Sequence, residues 1–341
     1  MTGAGANTVL VTGAAGFLGK RVVRGLAEAG RQVRALVRPG TPPAALASCL
    51  DGVARPQVEL VEASFGDMEA LRRAVEGAGI VLHLAASTVG SAAAQVANSV
   101  VGSENLFRVA VDLRTPRVVL VSSFGVMGVS SLPRGAVIDE SVELDPHAEW
   151  RDAYSFAKQR QETLAWKYQR ERGLPLVVVR PGPIFGPGQP ILGSRIGVKF
   201  FGVFLHLGGG NLIPLTYVDN CADAVIRAGD TPGIEGQAFC VVDDNLPTSR
   251  QLLKLYKRRV APVRSVRVPF FVLKLAGRWN AGYSARTHNH LPAVFTPYKV
   301  DALWVGRRYS NAKAKQVLGW SPRVPMAEAL DLTLASLRPA T

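Results

Sequence analysis

The chain has 341 residues, of which 48% are hydrophobic and 19% are charged. This balance excludes a disordered chain and is typical of one large folded domain, or of one domain with a smaller lobe. Lysine and arginine outnumber aspartate and glutamate by 40 to 26, a net charge of +14 that indicates an anionic cofactor, substrate or surface. Nucleic acid ranks last among these partners, because the basic residues are spread along the chain and no nucleic-acid signature is present.

The N-terminus shows no signal-peptide pattern, and no uncharged apolar run reaches the ~18 residues of a spanning helix. The three cysteines, Cys49, Cys221 and Cys240, have no paired spacing. Neither they nor the five histidines are spaced as metal ligands. We therefore expect a cytoplasmic protein without a metal centre.

The first motif along the chain is TGAAGFLG, from Thr12 to Gly19, between a short apolar run and an amphipathic segment. In the order strand, glycine turn, helix, Gly13 allows the tight turn and Gly16 allows close approach of a pyrophosphate. Gly19 then lets the helix pack against the sheet, while the N-terminal amides of the helix hold the pyrophosphate. The motif predicts a dinucleotide site. The alternative is an ordinary loop in a chain with 34 glycines.

Short apolar strands alternate with helices through the first half of the chain. Further strands are predicted at 32–37, 57–61, 80–84, 117–121 and 176–179, and helices at 67–76, 92–112 and 153–172. This alternation predicts an α/β fold, a doubly wound parallel sheet of the Rossmann type with right-handed crossovers.

Beyond residue 182 the alternation breaks down, and segments rich in proline and glycine precede a basic, apolar stretch at 258–298. We therefore expect a smaller, mostly C-terminal substrate lobe beside the Rossmann domain. The expected boundaries are 1–182 for the Rossmann domain, to which 216–242 returns, and 183–215 with 243–341 for the substrate lobe.

The cofactor depends on the end of the second strand, because that end faces the adenosine ribose in such folds. An acidic side chain there favours NAD, whereas an arginine nearby favours NADP. Here Val37 ends the strand, Arg38 follows it, and no acid lies between Gln32 and Gly40. A guanidinium is a strong partner for a 2′-phosphate. We expect NADP, with NAD as the alternative if Arg38 is only a solvent-exposed arginine.

Tyr154 and Lys158 stand four residues apart and share one face of the helix predicted at 153–172. A tyrosine with an ordinary pKa of about 10 is a poor acid or base at neutral pH. An adjacent ammonium and an oxidised nicotinamide would stabilise the phenolate and lower that pKa. Ser123 follows the fifth strand, where its hydroxyl can orient a substrate oxygen. The alternative is a surface Tyr–Lys pair and an ordinary strand-end serine.

With these motifs together, the chain resembles the extended short-chain dehydrogenase/reductase family, also called the NAD-dependent epimerase/dehydratase family, over nearly its whole length. The motifs that carry the resemblance are TGAAGFLG, HLAAS (His83 to Ser87), NSVVGSENLF with Asn98, VSSFGVMG (Ser122 to Gly128), YSFAK, RPGPIFGPG (Arg180 to Gly188), YVDNCADAV and YSNAKAKQVLGWSP (Tyr309 to Pro322).

The resemblance implies that Tyr154 is the acid/base, that Lys158 lowers its pKa and contacts the ribose, that Ser123 contacts the substrate carbonyl, and that Asn98 belongs to a proton relay. It also implies a set of cofactor-binding positions. These are Gly13, Ala15, Gly16, Phe17, Leu18, Arg38, Ser64, Leu84, Ala85, Ala86, Ser122, Tyr154, Lys158, Pro181, Gly182 and Ile184. Two positions depart from the family pattern: Ser64 replaces an aspartate that binds adenine in many members, and Met127 replaces a tyrosine.

The resemblance also bears on the reaction. Dehydratases of this family typically place an acidic pair after the catalytic Ser or Thr, where this chain has Phe124 and Gly125. The 4-epimerases usually carry an asparagine in the loop that here reads Arg180-Pro181-Gly182-Pro183, and an NAD-type acid that is missing at Val37. RPGPIFGPG, YVDN and VPFFVLKLAG instead resemble the 3β-hydroxysteroid dehydrogenase and dihydroflavonol-reductase branch.

We therefore expect an NADP-dependent oxidoreductase that interconverts a ketone and a secondary alcohol. Its substrate would be fairly large and apolar, in a pocket built from the loop at 124–150 and the C-terminal lobe. The alternatives are a nucleotide-sugar epimerase with tightly bound NAD and, less favoured, a non-catalytic NADP-binding scaffold.

Two surface features remain. The helices at 92–112 and 153–172 form the dimer interface in many relatives, which implies a homodimer. The apolar segments 202–207 and 268–274 have basic neighbours and fit either an element that touches anionic lipid or, as is more common, a helix that lines an apolar substrate pocket. The basic neighbours of the second segment are Arg264, Arg267, Lys274 and Arg278.

Overall fold

A computed structural model of the chain describes residues 8–54, 56–86, 91–287 and 296–338. Ser87, the last residue of the HLAAS motif, lies outside the described residues, as do two of the five histidines, His288 and His290.

The strands are short, as their apolar runs predict. They are β1 (Thr8–Thr12), β2 (Gln32–Val37), β3 (Val58–Glu62), β4 (Ile80–His83), β5 (Arg117–Val121), β6 (Val137–Ile138), β7 (Leu176–Pro181), β8 (Ile184–Phe185), β9 (Gly197–Phe200), β10 (Val203–His206), β11 (Thr216–Tyr217), β12 (Gln237–Val241), β13 (Ser265–Arg267) and β14 (Arg308–Tyr309).

The helices lie between these strands and continue to the C-terminus. They are α1 (Phe17–Glu28), α2 (Ala44–Ala47), α3 (Met68–Val75), α4 (Ala92–Val96), α5 (Gly102–Asp112), α6 (Ala153–Arg172), α7 (Val218–Asp230), α8 (Ser249–Arg259), α9 (Phe270–Arg286), α10 (Pro297–Trp304), α11 (Ala312–Leu318) and α12 (Met326–Ser336).

Seven of the described strands form one parallel sheet in the order β12-β7-β5-β4-β1-β2-β3. Every residue of β5 and β7 is buried, because helices cover both faces of the sheet. One apolar core contains residues of α1 and α7, and the other contains residues of α3, α5 and α6. The predicted doubly wound parallel sheet is confirmed.

The helix predicted at 92–112 is interrupted. A π-helical turn, Ala97–Val101, separates α4 from α5. Such a turn inserts a residue into the α-helical repeat and rotates the side chains around it. The insertion decides which residues of this helix face the interior of the molecule.

The remaining strands form small sheets outside the main one. The largest has the order β13-β10-β9, and β11 pairs with β8 and β14 with β6. Residues 201–202 join β9 to β10, and Phe201 there adopts a φ of +43°, a conformation rarely seen for a bulky side chain. Within the described residues, no helix is long and apolar enough to cross a membrane.

Candidate active site

The carboxyl ends of the parallel strands meet at one edge of the main sheet. The strand order reverses between β1 and β4, because β2 and β3 follow β1 on one side while β5, β7 and β12 continue on the other. In open α/β sheets this switch point is where ligands bind. The glycine motif follows β1, and Ser122 and Ser123 follow β5, so the topology brings both to this edge.

The turn after β1 has the backbone that its glycines predict. Gly13 has a φ of +68°, and a Cβ on it would lie 3.0 Å from the amide nitrogen of Ala85, just after β4. A Cβ on Gly19 would lie 2.1 Å from the Gly13 carbonyl oxygen. Neither position has room for a side chain, so these glycines bring the turn against β4 and α1 against the turn.

The start of α1 suits an anionic ligand. Gly16 is its N-cap and offers no capping side chain, and no acidic residue stands in the first turn. The first amides of the helix therefore keep their hydrogen-bonding capacity and the positive end of the dipole. Phe17 and Leu18 belong to this turn, and the ring of Phe17 lies next to Gly186 in the RPGPIFGPG loop.

Ser122 supplies a further feature of a ligand site. Its hydroxyl is buried at the end of β5 and has no hydrogen-bond partner among the described residues. A buried hydroxyl without a partner is costly. Together with the uncapped amides of α1 and the close-packed glycines, it shows that the residues present fit a nicotinamide dinucleotide.

The end of β2 carries Arg38, which is exposed one residue past the buried Val37. An acidic residue that the sequence analysis did not consider lies close to the end of β2. Glu62 ends β3 opposite Val37, and its carboxylate accepts a hydrogen bond from the amide of Gly40 at 3.2 Å. The pocket edge expected to hold the adenosine ribose therefore has both a cation and an anion near it.

Ser123 and Tyr154 come together in the structure. Asp152 caps α6 by accepting from the amide of Ser155 at 2.8 Å, which starts the helix just before Tyr154. The Ser123 hydroxyl lies close enough to the phenol of Tyr154 to influence its pKa. Burial raises the pKa of Tyr154, the Ser123 hydroxyl opposes this rise, and Asp152 adds to it.

Lys158 is buried one turn further along α6. Its ammonium donates to the carbonyl oxygen of Val121 at 2.7 Å and to Oε1 of Gln161 at 2.8 Å. Burial lowers the pKa of Lys158 to about 7, although the carboxylate of Glu162 acts in the opposite direction. The pKa of Tyr154 is thus raised where the sequence predicts a lowered value, since burial outweighs the other influences in the protein alone.

Gln161 links Lys158 to the interior. Its side-chain nitrogen donates to Ser103 Oγ at 2.6 Å and to the carbonyl oxygen of Ser99 at 3.3 Å, and it lies 3.2 Å from His83 Nε2. The side chain is fully buried. A buried amide with partners at both ends fixes its neighbours strongly, so Gln161 holds the Lys158 ammonium in place.

The network ends at the glycine turn. His83 Nδ1 lies 2.7 Å from Thr12 Oγ1, which also accepts from the amide of Ala85. Burial, and then the charge of Lys158, lowers the pKa of His83 to about 3, so the imidazole is neutral. His83 Nε2 also lies 2.8 Å from Ser103 Oγ, so the tautomer of the neutral ring sets the direction of its hydrogen bonds to Ser103 and Thr12.

A buried ion pair fixes the same helix to β7. Arg180 donates from Nη2 to Glu162 Oε1 at 2.6 Å and from Nε to the same oxygen at 3.0 Å. Both side chains are almost completely buried. Arg180 begins the RPGPIFGPG loop, so this pair ties α6, which carries Tyr154, to the loop expected near the nicotinamide.

The remaining predicted positions fall into two groups. Leu84, Ala85 and Ala86 follow β4, while Pro181 and Gly182 end β7 and Ile184 begins β8. Gly182 is tightly packed, because a Cβ on it would overlap the carbonyl oxygen of Pro214. Ser64 is exposed after β3 and accepts from the amide of Gly66 at 3.3 Å. Whether these residues contact a cofactor stays a prediction.

Asn98 and Ser99 lie next to each other on the π-helical turn but differ in burial. Asn98 is exposed, whereas Ser99 is buried and offers its carbonyl oxygen to Gln161. Lys158 donates to Val121 and Gln161. The extra residue of the π turn places Ser99 inward, and the proton-relay role of Asn98 stays a prediction.

The sequence analysis did not predict the hydrogen-bond network that joins Lys158 to Gln161 and His83. Gln161 stands three residues after Lys158 and so shares its face of α6, which is the one local signal of its role. Thr12, His83 and Ser103 are each on a different element, and nothing local connects them.

The loop at 124–150 meets the C-terminal lobe around a cavity of about 510 Å³. Its walls are residues 130–134, 207–211 and 267–270, with Lys274, Asp301, Trp304, Val305 and Gly306. Among the described residues, no cluster of His, Cys, Asp and Glu is suited to a metal ion.

The comparison with protein families agrees with this geometry. Residues 9–240 match the NAD dependent epimerase/dehydratase family, which is more than half of the chain. The chain belongs to this family. The family resemblance of its motifs is therefore confirmed.

Among curated proteins, the chain is 27% identical to 3β-hydroxysteroid-dehydrogenase/decarboxylase isoform 2 of Arabidopsis thaliana, over 84% of this chain and 53% of that one. The chain thus spans about half the length of this relative. It is 30% identical to cinnamoyl-CoA reductase 1 of Petunia hybrida, over 68% of this chain and 72% of that one. It is 28% identical to sterol demethylase protein B of Methylococcus capsulatus, over 95% and 96% of the two chains.

Among solved structures, the fold is similar to the crystal structure of gox2253, with a TM-score of 0.79 and 24% sequence identity over 97% of both chains. At this identity the likeness shows the fold alone. It extends over the lobe as well as the parallel sheet.

Proposed function

We propose that the protein is an NADP-dependent oxidoreductase that interconverts a ketone and a secondary alcohol. The observation that carries the proposal is the proximity of the Ser123 and Tyr154 hydroxyls at the carboxyl edge of the sheet, with Lys158 buried four residues further along α6. A bound nicotinamide supplies the hydride acceptor for the alcohol or the hydride donor for the ketone. Tyr154 takes or gives the proton of the substrate oxygen, and Ser123 hydrogen-bonds the same oxygen.

The substrate that we propose is fairly large and apolar. Trp150 stacks on His147 with ring centroids 4.2 Å apart, and Tyr298 meets Trp150 edge-on at 5.4 Å. This aromatic group stands where α6 begins and offers apolar area to a substrate. Tyr298 also contacts Ser130 in the wall of the cavity of about 510 Å³, which is large enough for a multi-ring molecule. The relatives named for hydroxysteroid and sterol chemistry support this substrate class.

The test of the mechanism is Tyr154→Phe, assayed on ketones of increasing size through the absorbance of the reduced nicotinamide. We expect turnover to fall by roughly 10²–10⁴-fold, because the proton donor is lost, while cofactor affinity is retained. Tyr168→Phe is the matched control, since Tyr168 is a buried tyrosine of the same helix that packs against Phe107. Comparable turnover in Tyr154→Phe and the native protein would refute the mechanism.

The proposed preference for NADP rests on Arg38. Titration of the cofactor-free protein with NADPH and NADH, followed by fluorescence, should show tighter binding of NADPH. Arg38→Ala should remove most of this difference, while the exposed Arg73→Ala on α3 should leave it unchanged. An unchanged NADPH-to-NADH ratio in Arg38→Ala would refute the assignment.

The same titration tests the alternative, a nucleotide-sugar epimerase. Such an enzyme keeps its nucleotide through the catalytic cycle, so NAD would be released only on unfolding of the purified protein. Retained NAD would favour a different ribose contact. Glu62, at the end of β3, would then accept hydrogen bonds from the ribose hydroxyls. Freely exchanging NADPH supports the oxidoreductase.

We also propose a homodimer through α4 and α6. A shallow apolar groove on their outer face is lined by Val96, Val100, Phe156, Arg160 and Leu164, among others. Leu164→Glu places a charge in this groove and should convert a dimer into a monomer in light scattering. A native protein that is already monomeric at micromolar concentration would refute the dimer.

A further inference from the structure

Helix α9 exposes several large apolar side chains to solvent, which is unusual for a helix of a globular domain. Leu273, Gly277 and Ser284 form its buried face. Phe271 is 72% exposed and Trp279 71% exposed, and Leu275 between them is also largely exposed. A surface helix ordinarily turns its polar residues outward. Within the segment 268–274, residues 268–270 and Lys274 border the cavity, whereas Phe271 is exposed.

The sheet beneath α9 extends the apolar surface. In the register of β9, β10 and β13, Phe200 lies opposite Val203 and Leu205 lies opposite Val266, and alternation places all four on one face of the sheet. Leu273 of α9 packs on this face through Leu205 and Val198. Phe200 and Val266 remain exposed beside the helix.

The turn between β9 and β10 presents a further ring. Phe201 is 90% exposed, with its ring 4.5 Å from that of Phe200. Two-residue hairpin turns of this type favour asparagine before glycine, because both central residues take a positive φ. Phenylalanine at this position costs stability and gives an apolar ring at the tip of the hairpin.

These residues form one feature, which we call the lobe surface. It is defined by Phe200, Phe201, Val266, Phe271, Leu275, Trp279 and Tyr283. Exposed apolar patches of this extent on a folded chain mark a surface that is covered by something.

The charged residues in the two stretches of sequence that form the lobe surface have one sign. Eleven lysines and arginines and not one aspartate or glutamate lie between Asp244 and Asp301, and the sequence between Glu171 and Asp219 is likewise free of acids. The bases are spread along the whole chain, whereas these two stretches contain no acid. Asp301, which follows the second stretch, pairs with Lys274 of α9 at 3.1 Å. Exposed basic side chains next to the surface are those of Lys199, Arg264, Arg267, Arg278 and Arg286.

We propose that the lobe surface docks on a lipid bilayer that contains anionic lipid. Apolar rings of Phe201 and Trp279 would enter the interface between headgroups and acyl chains, and the flanking guanidinium groups would contact the anionic headgroups. Burial of apolar area together with electrostatic attraction is the pattern of interfacial helices that lie on a membrane.

The charge also argues against other occupants. A second copy of the chain would bring one acid-free, positive surface against another, and like charges oppose such a contact. A nucleic acid would satisfy the basic side chains and leave Phe271, Leu275 and Trp279 in water. A negatively charged surface with an apolar interior satisfies both parts of the pattern.

The experiment is vesicle flotation of the full chain with two preparations, phosphatidylcholine alone and an equimolar mixture of phosphatidylcholine and phosphatidylglycerol. We expect at least tenfold more bound protein on the anionic vesicles at low salt, and loss of binding as salt screens the charges. The triple variant Phe201→Ser, Leu275→Ser, Trp279→Ser should lose at least tenfold in binding.

The matched control is Val137→Ser, Val317→Ser, Leu332→Ser, which removes three exposed apolar side chains from other parts of the chain. Equal binding by the two triple variants, or equal binding to both vesicle preparations, would overturn the proposal. So would a dimer in lipid-free solution that the first triple variant dissociates, or binding to duplex DNA in preference to vesicles. None of these residues belongs to the active site, so docking and catalysis can fail independently.

Discussion

Helices α6 and α9 distribute their side chains in opposite ways. Helix α6 buries Lys158, Gln161 and Glu162, whereas α9 exposes Phe271, Leu275 and Trp279. Buried polar groups are costly unless each has a partner, and exposed apolar rings are costly unless something covers them. In α6 these three groups have their partners within the chain. In α9 the partner must come from outside it.

The comparison teaches where the functional information of the chain lies. An exposed lysine or a buried phenylalanine says little, because each is the ordinary case. The exceptions in α6 identify a site of proton transfer, and those in α9 identify a contact surface. Each of the following predictions substitutes one of these buried polar or exposed apolar residues.

The largest effect is expected for Glu162→Leu, which leaves the Arg180 guanidinium buried without its carboxylate. Breaking a buried pair in this way typically costs about 3–5 kcal/mol. Urea unfolding should show that loss, while Glu171→Leu should cost under about 1 kcal/mol, because the Lys167–Glu171 pair of the same helix is exposed. Similar losses in both variants would contradict the importance of burial.

The second prediction concerns pH. The pKa of Lys158 is about 7 in the folded chain, whereas the ordinary value for a lysine in water is 10.5. Between these values the unfolded chain holds a proton that the folded chain has lost, so the stability of the cofactor-free protein rises with pH by at most about 1.4 kcal/mol per unit. The unfolding free energy of the native protein, minus that of Lys158→Met, should therefore increase from pH 7 to pH 9. A constant difference would mean that Lys158 is not desolvated.

The third prediction tests Gln161 as a positioning residue. Gln161→Leu removes both ends of its hydrogen-bond network at similar volume and should lower turnover by roughly tenfold to a hundredfold through misplacement of Lys158. Gln161→Glu places a carboxylate beside the ammonium, so the pKa of Lys158 should rise and the alkaline limb of the pH–rate profile should move to higher pH. A purely structural role would leave that limb unchanged.

The smallest changes in unfolding free energy are expected for the exposed residues of the lobe surface. Phe201→Asn relieves a positive φ at a turn that prefers asparagine, and should raise the free energy of unfolding by about 1 kcal/mol. Thermal unfolding of the two proteins gives the difference.

Phe271→Ser on α9 should change stability by less than about 0.5 kcal/mol, because its side chain is already in water. A large loss there would show that α9 packs against the rest of the chain more than its exposure indicates.

Much of the fold could be predicted from the sequence because its signals are local. The strand before Gly13 and the helix after Gly16 are set by apolar periodicity and by backbone freedom at the turn. The Tyr154–Lys158 spacing likewise follows from the helical repeat alone. Ser123 is predicted from its position after the fifth strand, and the structure brings its hydroxyl close to the Tyr154 phenol.

Contacts between distant segments were decided by the tertiary structure. The network of Thr12, His83, Ser103 and Gln161 joins four elements that no local pattern connects, and the π turn that turns Ser99 inward in place of Asn98 has no clear periodicity signal. The lack of acids in residues 172–218 and 245–300 is visible in the sequence. Whether the apolar residues of α9 face a pocket or water depends on what packs beneath Leu273 and Gly277. Local preference sets each element, whereas burial is a property of the assembled chain, and the chemistry of both regions depends on burial.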